Sequence, residues 1–221
     1  MITIAYSTRE YNSDYDKHIL DTCGLNIDEI EILTYVNDGS KSLTTIYNDV
    51  LKNATNDKII LIHDDLEFLT KDWGKIVLDL FERYTEYGII GIAGSAYFDS
   101  EAMWWKYQNI YGHLYHTDGT KVWCSKFSNS LKDKLKEVVV IDGLFMAIDR
   151  TKIKKDFNES LTGFHFYDID FCLRNYLTEE TKIGVTTLIQ LIHKSVGKLN
   201  NEWLLNKIKI NNTYGIHYPI K

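Results

Sequence analysis

An unbroken apolar run from Ile59 to Ile62 is followed, after one histidine, by two adjacent aspartates, Asp64 and Asp65. A run of this kind predicts a β-strand that is covered on both faces. In open α/β sheets, ligands bind beyond the carboxyl ends of the strands, which is where both aspartates fall. Neighbouring carboxylates repel each other unless water, a cation or hydrogen bonds compensate them. The segment therefore has two interpretations: oxygen ligands for Mg2+ or Mn2+, or a solvated turn in which one aspartate caps the next element.

Strand-like and helix-like segments alternate along the chain. Apolar runs predict strands at 2–7, 31–36, 59–62 and 88–93, and amphipathic patterns predict helices at 14–23, 42–53 and 71–84. This alternation predicts an α/β fold with a mostly parallel central sheet flanked by helices. Further along, we expect an interrupted strand at 138–148, a helix at 168–177, a strand at 183–192, a helix at 202–210 and a loose tail around Pro219.

Composition limits the class of protein. A chain of 221 residues without repeats or an interior linker is expected to form one domain, 1–221. The net charge of -6 argues against nonspecific nucleic-acid binding, which needs an excess of Lys and Arg on one face. Cys23, Cys124 and Cys172 are far apart and predict free thiols. With no signal peptide or membrane span in the sequence, we expect a cytoplasmic protein whose membrane association is peripheral at most.

The segment 97–130 is crowded with aromatic residues and polar turn residues. Such a segment is most often a packed excursion with short strands of its own. A less common alternative is a platform for a sugar, because aromatic faces suit the apolar faces of pyranose rings. The candidates for acceptor or sugar contacts are Trp104, Trp105, Tyr107 and Trp123.

The segment 163–174 carries two aspartates, Asp168 and Asp170, at a predicted helix start. One interpretation is structural, with Asp168 as the helix cap and Asp170 paired with Arg174 four residues later. The other is chemical, with a general base beside a metal-bound substrate. In the segment 191–197, His193 ends an apolar strand pattern. It is either a residue at a surface edge or an imidazole ligand that completes a metal site.

Taken together and in this order, the segments HDD, DG within 140–144, FHFYDIDFCLR and IHKSVG resemble a GT-A glycosyltransferase related to family 2, most closely the bacterial StrF-like subgroup. The resemblance extends from the IAYSTR strand through SKSLTTIYNDVLKNA to IHKSVG, which is nearly the whole chain. It implies a single GT-A domain in which 1–95 binds the nucleotide sugar and 96–221 carries the acceptor site and the catalytic site.

The resemblance also implies roles for individual residues. Asp65 matches the last aspartate of the DXD-like motif, which binds the Mn2+ or Mg2+ that bridges the donor diphosphate, and His193 matches a histidine that completes the metal sphere. Asp64 stands beside Asp65 and is expected to contact the ribose or the metal. Asp168 matches the catalytic base, while Tyr167 stands where the family pattern often has glutamate. Asp170 and Arg174 match positions that orient the helix.

The expected nucleotide site follows from the same resemblance. Related proteins cradle the base and ribose with residues that match Ser7, Thr8, Arg9, Asn37, Asp38 and Asn48, and Asp142 and Gly143 fall beneath the sugar. The implied donor is a nucleoside-diphosphate sugar, with a uridine diphosphate sugar as the default, and the implied acceptor is a carbohydrate or another hydroxyl compound. The implied reaction is a metal-dependent, inverting transfer.

Two other classes of function are compatible with parts of this pattern. A nucleotidyltransferase also uses an α/β sheet and a carboxylate-held metal, but it usually has a Gly-rich loop after the first strand, and here that loop reads STREYNSDYD. A noncatalytic carbohydrate- or partner-binding domain of the same fold is expected to have lost Asp65, Asp168 or His193, and all three are present. A protein or DNA acceptor would still make the chain a glycosyltransferase.

Overall fold

The computed structural model describes residues 1–127, 134–195, 197 and 199–221. The strands are β1 Ile2–Thr8, β2 Ile30–Val36, β3 Lys58–His63, β4 Leu66–Phe68, β5 Tyr87–Gly91, β6 Ala93–Ser95, β7 Ile110–Thr117, β8 Val122–Lys126, β9 Lys136–Val138, β10 Val140–Ile141, β11 Phe145–Asp149, β12 Lys182–Val185 and β13 Leu191–His193. The α-helices are α1 Ser13–Cys23, α2 Leu43–Asn53, α3 Trp73–Arg83, α4 Tyr167–Tyr176 and α5 Asn201–Tyr214, with short 3-10 helices at Ile27–Glu29, Trp104–Lys106 and Gly215–His217.

The helices α1, α2 and α5 begin at polar caps that the sequence supplies locally. The side chain of Asn12 accepts a hydrogen bond from the backbone of Asp14 at the start of α1. Ser42 does the same for Thr45 in α2, and Asn200 does so for Trp203 in α5. These side-chain oxygens satisfy backbone donors that the first helical turn leaves unpaired.

The central sheet has seven strands in the order β2-β1-β3-β11-β5-β12-β9. The pairs β2–β1, β1–β3 and β5–β12 are parallel, whereas β11 runs antiparallel to both β3 and β5, and β9 runs antiparallel to β12. The predicted α/β domain with a central sheet flanked by helices is confirmed, and this sheet is mixed, with antiparallel pairs beside the parallel ones. The physical reason is that β11 follows β10 through a short turn and enters the sheet in reverse, without a crossover helix.

A second, smaller sheet has the order β10-β6-β7-β13-β4, and β8 pairs with β7. The predicted strand 183–192 is divided between the two sheets, because β12 belongs to the central sheet and β13 to the smaller one. Residue His193 in β13 pairs with Leu66 in the antiparallel β4, and with His116 in the parallel β7. This pairing carries the end of β13 to the region where β3 ends.

The core lies on both faces of the central sheet, which explains the unbroken apolar run in β3. Ile59 and Leu61 pack with α2 and α4 on one face, and Ile60 and Ile62 pack with α1 and α3 on the other. Because successive side chains of a strand point to opposite faces, a strand covered on both faces must be apolar at every position.

The chain end is ordered against the domain, unlike the loose tail expected from the sequence. Ile220 is buried and forms an isolated β-bridge with Phe98, and the hydroxyl of Tyr176 donates to the carbonyl of Lys221. All three cysteines are free, as predicted, with Cys23 and Cys172 buried and Cys124 exposed. Among the described residues, no helix has the length and apolar character needed to span a bilayer.

Candidate active site

Three potential metal ligands converge where β3 ends. His63 is the last residue of β3, Asp65 lies in the turn that follows, and His193 is the last residue of β13. One ligand atom from each lies within 4.8 Å of the other two. The antiparallel pairing of β13 with β4 brings His193 beside this turn, with its Nε2 atom 3.3 Å from Oδ1 of Asp65. The structure thus brings together the two predicted metal ligands and adds His63.

The charges of this cluster suit a cation. Burial tends to raise the pKa of Asp65, but His193 outweighs this and lowers that pKa to about 2, so Asp65 is ionised near neutral pH. Burial and the neighbouring His193 lower the pKa of His63, which keeps that imidazole neutral. Burial tends to lower the pKa of His193, but the Asp65 carboxylate raises it overall. A cation held here would replace the proton on His193, because metal-binding imidazoles are neutral.

The hydrogen bonding of the cluster also fits a metal ion. Oδ1 of Asp65 is buried and has no hydrogen-bond partner among the described residues, although Nε2 of His193 lies nearby. A buried polar atom left in this state is costly unless something else compensates it. Two imidazole nitrogens with a carboxylate suit a first-row transition ion such as Mn2+ better than Mg2+, which prefers oxygen ligands throughout.

Tyr167 contacts the metal-ligand cluster through His63. Its Oη atom lies 2.9 Å from Nε2 of His63, and its ring packs edge-on against Tyr47 at 5.6 Å between centroids. A hydrogen bond on one ring nitrogen orients a metal-binding histidine and leaves the other nitrogen for the metal. The residue that replaces the glutamate common in the family pattern therefore contacts a candidate ligand directly.

Asp168 lies at the start of α4 and faces the turn between β10 and β11. Its Oδ2 atom accepts a 2.8 Å hydrogen bond from the backbone of Gly143, and its Oδ1 atom accepts one from the backbone of Ile169. Burial of the carboxyl, together with the Asp142 carboxylate, raises the pKa of Asp168 to about 7 despite these two donors. A carboxyl group with a pKa near the working pH is suited to accept a proton from a substrate.

Asp168 is not the N-cap of its helix. The N-cap position belongs to Phe166, which has a left-handed backbone with φ of 66° and makes no side-chain cap hydrogen bond. Asp170 fits the structural interpretation better. It is buried, accepts a 2.8 Å hydrogen bond from the hydroxyl of Tyr214, and lies 3.9 Å from Arg174.

Asp142 and Gly143 form the turn that closes against α4. Asp142 accepts a hydrogen bond from the backbone of Leu144, which holds the turn. A Cβ atom added to Gly143 would collide with the Tyr167 hydroxyl and would lie 2.8 Å from Cβ of Asp168. The absence of a side chain at Gly143 therefore permits the close approach of α4 that the hydrogen bond to Asp168 requires.

Five of the predicted nucleotide-binding residues share the carboxyl edge of β1 and β2. Ser7 and Thr8 end β1, and Thr8 pairs with Val36, so the turn that follows β2 lies beside them. In that turn, Asn37 donates its backbone N–H to the carbonyl of Thr8 at 2.8 Å, and the Arg9 guanidinium donates to the carbonyl of Asp38. These contacts bring Ser7, Thr8, Arg9, Asn37 and Asp38 into one edge next to the end of β3.

Of the other predicted nucleotide contacts, Asn48 is engaged within the fold and Asp64 is open to solvent. The Asn48 side chain is used structurally, since it donates to the carbonyl of Phe157 and to Glu159, and accepts from the backbone of Phe157. Asp64 is exposed and lines an open cleft of about 510 Å³ together with Asp65, the first turn of α1 and Lys194. The role of Asn48 as a nucleotide contact stays a prediction, and its amide group is already engaged.

The aromatic segment forms the strands β7 and β8, as expected of a packed excursion; its last residues, 128–130, lie outside the described residues. Trp104 is buried against Phe127 and offers no open face. Tyr107 donates its hydroxyl to Asp99, and Trp105 is partly exposed.

Trp123 stacks on His116 at 5.7 Å, and the His116 ring lies 6.1 Å from that of His193. Of the four aromatic candidates, Trp123 is thus linked to the metal-ligand cluster through one intervening ring.

His63 is the main site residue that the sequence interpretation missed. The signal was present in the HDD triplet, where a histidine at the last position of a buried strand points to the same edge as the aspartates. Its importance became visible only with the position of β13, because His63 and His193 are far apart in the chain and belong to different sheets.

The overall fold is that of the GT-A glycosyltransferases. It resembles GalNAc-T7, solved with UDP, GalNAc and Mn2+, with a TM-score of 0.62, 9% sequence identity and coverage of 96% of this chain and 47% of that chain. It also resembles S. aureus TarS, with a TM-score of 0.56, 9% identity and coverage of 96% and 39%. For TarS 1-349 in complex with UDP-GlcNAc, the TM-score is 0.51, with 13% identity and coverage of 89% and 59%.

The present chain thus spans less than two thirds of the length of these three solved chains. No curated protein matches its sequence. The model of a family described as "Glycosyltransferase like family" matches residues 2–214, nearly the whole chain. This chain belongs to that glycosyltransferase-like family, which is related to glycosyltransferase family 2.

Proposed function

We propose that this protein is a metal-dependent, inverting glycosyltransferase that moves a sugar from a nucleoside diphosphate to an acceptor hydroxyl. Membership of a glycosyltransferase-like family and the GT-A fold support the class of reaction. UDP or UDP-GlcNAc is present in two of the similar solved structures, which makes a uridine diphosphate sugar the first donor to test.

The observation that carries the proposal is the state of Asp168. Its carboxyl is held by the backbone N–H of Gly143 and has its pKa raised to about 7 by burial and by Asp142. In the proposed reaction, the acceptor hydroxyl gives its proton to Asp168 while its oxygen forms a bond to the anomeric carbon. The bond from that carbon to the diphosphate oxygen breaks in the same step, and the nucleoside diphosphate leaves with the electron pair. Attack from the side opposite the leaving group inverts the configuration.

His63, Asp65 and His193 are the residues that would hold the metal ion. When bound, a divalent cation supplies neutralisation of the negative charge that develops on the leaving diphosphate. Tyr167 would orient the His63 ring through the 2.9 Å contact between Oη and Nε2. The mixed nitrogen and oxygen ligands favour Mn2+ over Mg2+ in this proposal.

The remaining residues would position the donor. The edge formed by Ser7, Thr8, Arg9, Asn37 and Asp38 is rich in hydroxyl, amide and charged groups, which suit the hydrogen-bonding pattern of a nucleobase and a ribose. The side chain of Thr8 and that of Asn37 are both buried, so this edge is largely formed before any ligand binds.

The test is calorimetric titration of the purified protein with UDP, GDP, ADP, CDP and dTDP, each with and without Mn2+. Binding of one nucleotide that depends on Mn2+, and that is lost in Asp65→Ala, would support the proposal. Binding of no nucleotide under either condition would favour a noncatalytic domain of the same fold. Binding of a nucleoside triphosphate with release of pyrophosphate on addition of a sugar phosphate would instead identify a nucleotidyltransferase.

A further inference from the structure

Helix α5 carries large apolar side chains on two opposite faces. Its inner face buries Trp203, Ile210 and Tyr214 against the domain. Its outer face presents Leu204, Leu205 and Ile208, which are 54%, 62% and 56% exposed, together with the exposed Asn201 and Asn212. At 100° per residue, the three apolar side chains lie on the side of the helix opposite the buried one. A surface helix ordinarily carries polar residues there, so this outer face needs a separate explanation.

Two further exposed apolar residues flank the helix in the sequence. Leu199 precedes α5 and is 60% exposed, and Ile216 follows it and is 89% exposed. Single exposed apolar residues are normal on a protein surface, but five within 18 residues of one terminal segment form a concentration. Concentrations of this kind mark surfaces that bind a protein or a membrane.

The longer stretch 194–221, which contains this segment, differs in charge from the rest of the chain. Residues 194–221 contain five lysines and one glutamate and so carry +4, whereas the whole chain carries -6 and residues 1–193 therefore carry -10. The lysines Lys207 and Lys209 lie on the two flanks of the outer face at 100° per residue. Their ammonium groups stay close to the helix, with Nζ of Lys207 over the ring of Trp203 and Nζ of Lys209 donating to the carbonyl of Ser160.

We propose that α5 docks this protein peripherally on an anionic membrane surface, with Leu204, Leu205 and Ile208 entering the boundary between headgroups and acyl chains. An apolar helix face flanked by lysines is the pattern of helices that lie in the plane of the interface. The local positive charge within an acidic protein complements anionic lipid headgroups. The exposed residues of the outer face include none of the Trp, Tyr or Arg that dominate the centres of protein–protein interfaces.

The inner face of α5 also contacts the start of the helix that carries the candidate base. Trp203 on the inner face packs against Phe166 at 5.3 Å between ring centroids, and Phe166 precedes Asp168 by two residues. The helix that meets the membrane would therefore support the start of the helix that carries the candidate base. This proposal does not depend on the chemistry of the active site, because it concerns binding alone.

The experiment is co-sedimentation of the full chain with vesicles of phosphatidylcholine alone, and with vesicles of equimolar phosphatidylcholine and phosphatidylglycerol. We expect binding to the anionic vesicles, little binding to the neutral ones, and release at high salt. The triple variant Leu204→Gln, Leu205→Gln, Ile208→Gln should have an affinity for anionic vesicles that is lower by at least about tenfold, because the three apolar side chains no longer enter the interface.

A matched control carries the same exchange at three exposed apolar residues elsewhere, in Ile27→Gln, Leu69→Gln, Leu188→Gln. It should bind like the wild type, and circular dichroism should show that both triple variants are folded. Equal binding by the two triple variants, or no binding by the wild type to anionic vesicles, would overturn the proposal. A concentration-dependent dimer that the α5 variant abolishes, without vesicle binding, would assign the face to self-association instead. These outcomes are independent of whether the protein binds a nucleotide, so the membrane proposal and the proposed function can fail separately.

Discussion

The backbone N–H of Gly143 donates a 2.8 Å hydrogen bond to Oδ2 of Asp168, and this bond ties the turn between β10 and β11 to the first turn of α4. The same turn carries Asp142, whose carboxylate acts with burial to raise the pKa of Asp168. The hydrogen bond from Gly143 thus holds the candidate base in position, while burial and the Asp142 carboxylate raise its pKa.

Exchange of Asp168 for asparagine should remove the proton acceptor while keeping the shape of the side chain. We expect Asp168→Asn to lower the transfer rate by about 10²- to 10⁴-fold, the usual contribution of a general base. Nucleotide binding in the presence of Mn2+ should stay near the wild-type level, because Asp168 is not among the candidate metal ligands. Initial rates of sugar transfer and calorimetric affinity measure the two effects separately. Wild-type turnover would remove Asp168 from the mechanism.

The raised pKa of Asp168 predicts that the difference in stability between the wild type and Asp168→Asn changes with pH. In the unfolded chain this carboxyl ionises around its ordinary pKa of 3.8, whereas in the folded chain it holds its proton up to about 7. Its contribution to stability is therefore fully present below pH 3.8 and is lost as the pH rises through 7. Because the asparagine of Asp168→Asn does not ionise, the melting temperature of this variant should rise relative to that of the wild type as the pH increases across this range. Melting curves in EDTA at a series of pH values provide the test, and a constant difference would contradict the assignment.

His63 should bind metal as strongly as the two ligands that the sequence had indicated. His63→Ala removes one of three ligand groups that lie within 4.8 Å of one another, and we expect Mn2+ affinity to fall by at least about tenfold. His217→Ala is a suitable control, because His217 is exposed and lies in a short 3-10 helix near the chain end. Titration of Mn2+ followed by electron paramagnetic resonance reports free ion directly. Equal affinities in the two variants would exclude His63 from the site.

Gly143 should be sensitive to even one added methyl group. In Gly143→Ala, the new Cβ would collide with the Tyr167 hydroxyl and crowd Cβ of Asp168. Overpacking of this kind costs about 1–3 kcal/mol of stability, and it should also displace the candidate base and lower turnover. Gly215→Ala is the matched control, since a Cβ at Gly215 meets no described atom within 4 Å. Denaturant unfolding and initial rates should both separate these variants; identical behaviour would show that α4 can move away freely.

Tyr214 should stabilise the fold and not the reaction. Tyr214→Phe removes the hydroxyl that donates at 2.8 Å to Oδ1 of the buried Asp170, whose Oδ2 atom already lacks a hydrogen bond among the described residues. Leaving a buried carboxyl with fewer donors should cost about 1–3 kcal/mol in the free energy of unfolding. The transfer rate measured well below the melting temperature should be unchanged. A large loss of rate with unchanged stability would assign Asp170 to the chemistry.

Much of the local structure follows from short patterns in the sequence. The apolar run at Ile59–Ile62 predicted a strand covered on both faces, and it lies in the centre of the main sheet with packed residues on each side. Predicted helices agree with the observed ones to within a few residues, because amphipathic spacing and polar caps act within one or two turns. The antiparallel entry of β11 was not predicted, since the direction of a strand is not encoded in its apolar pattern.

By itself, the sequence determined the class of fold, the single domain and the carboxylates that end the buried strands, since those depend on the spacing of neighbouring residues. Only the tertiary structure decided that His63 joins Asp65 and His193 and that the pKa of Asp168 is raised. It also decided that the Asn48 side chain is hydrogen-bonded to the backbone of Phe157. The physical reason is that contacts between distant segments depend on strand order and register. Both are set by how the whole chain packs, and not by a short stretch of sequence. Burial and neighbouring charge, which set the ionisation of Asp168, exist only after those segments have met.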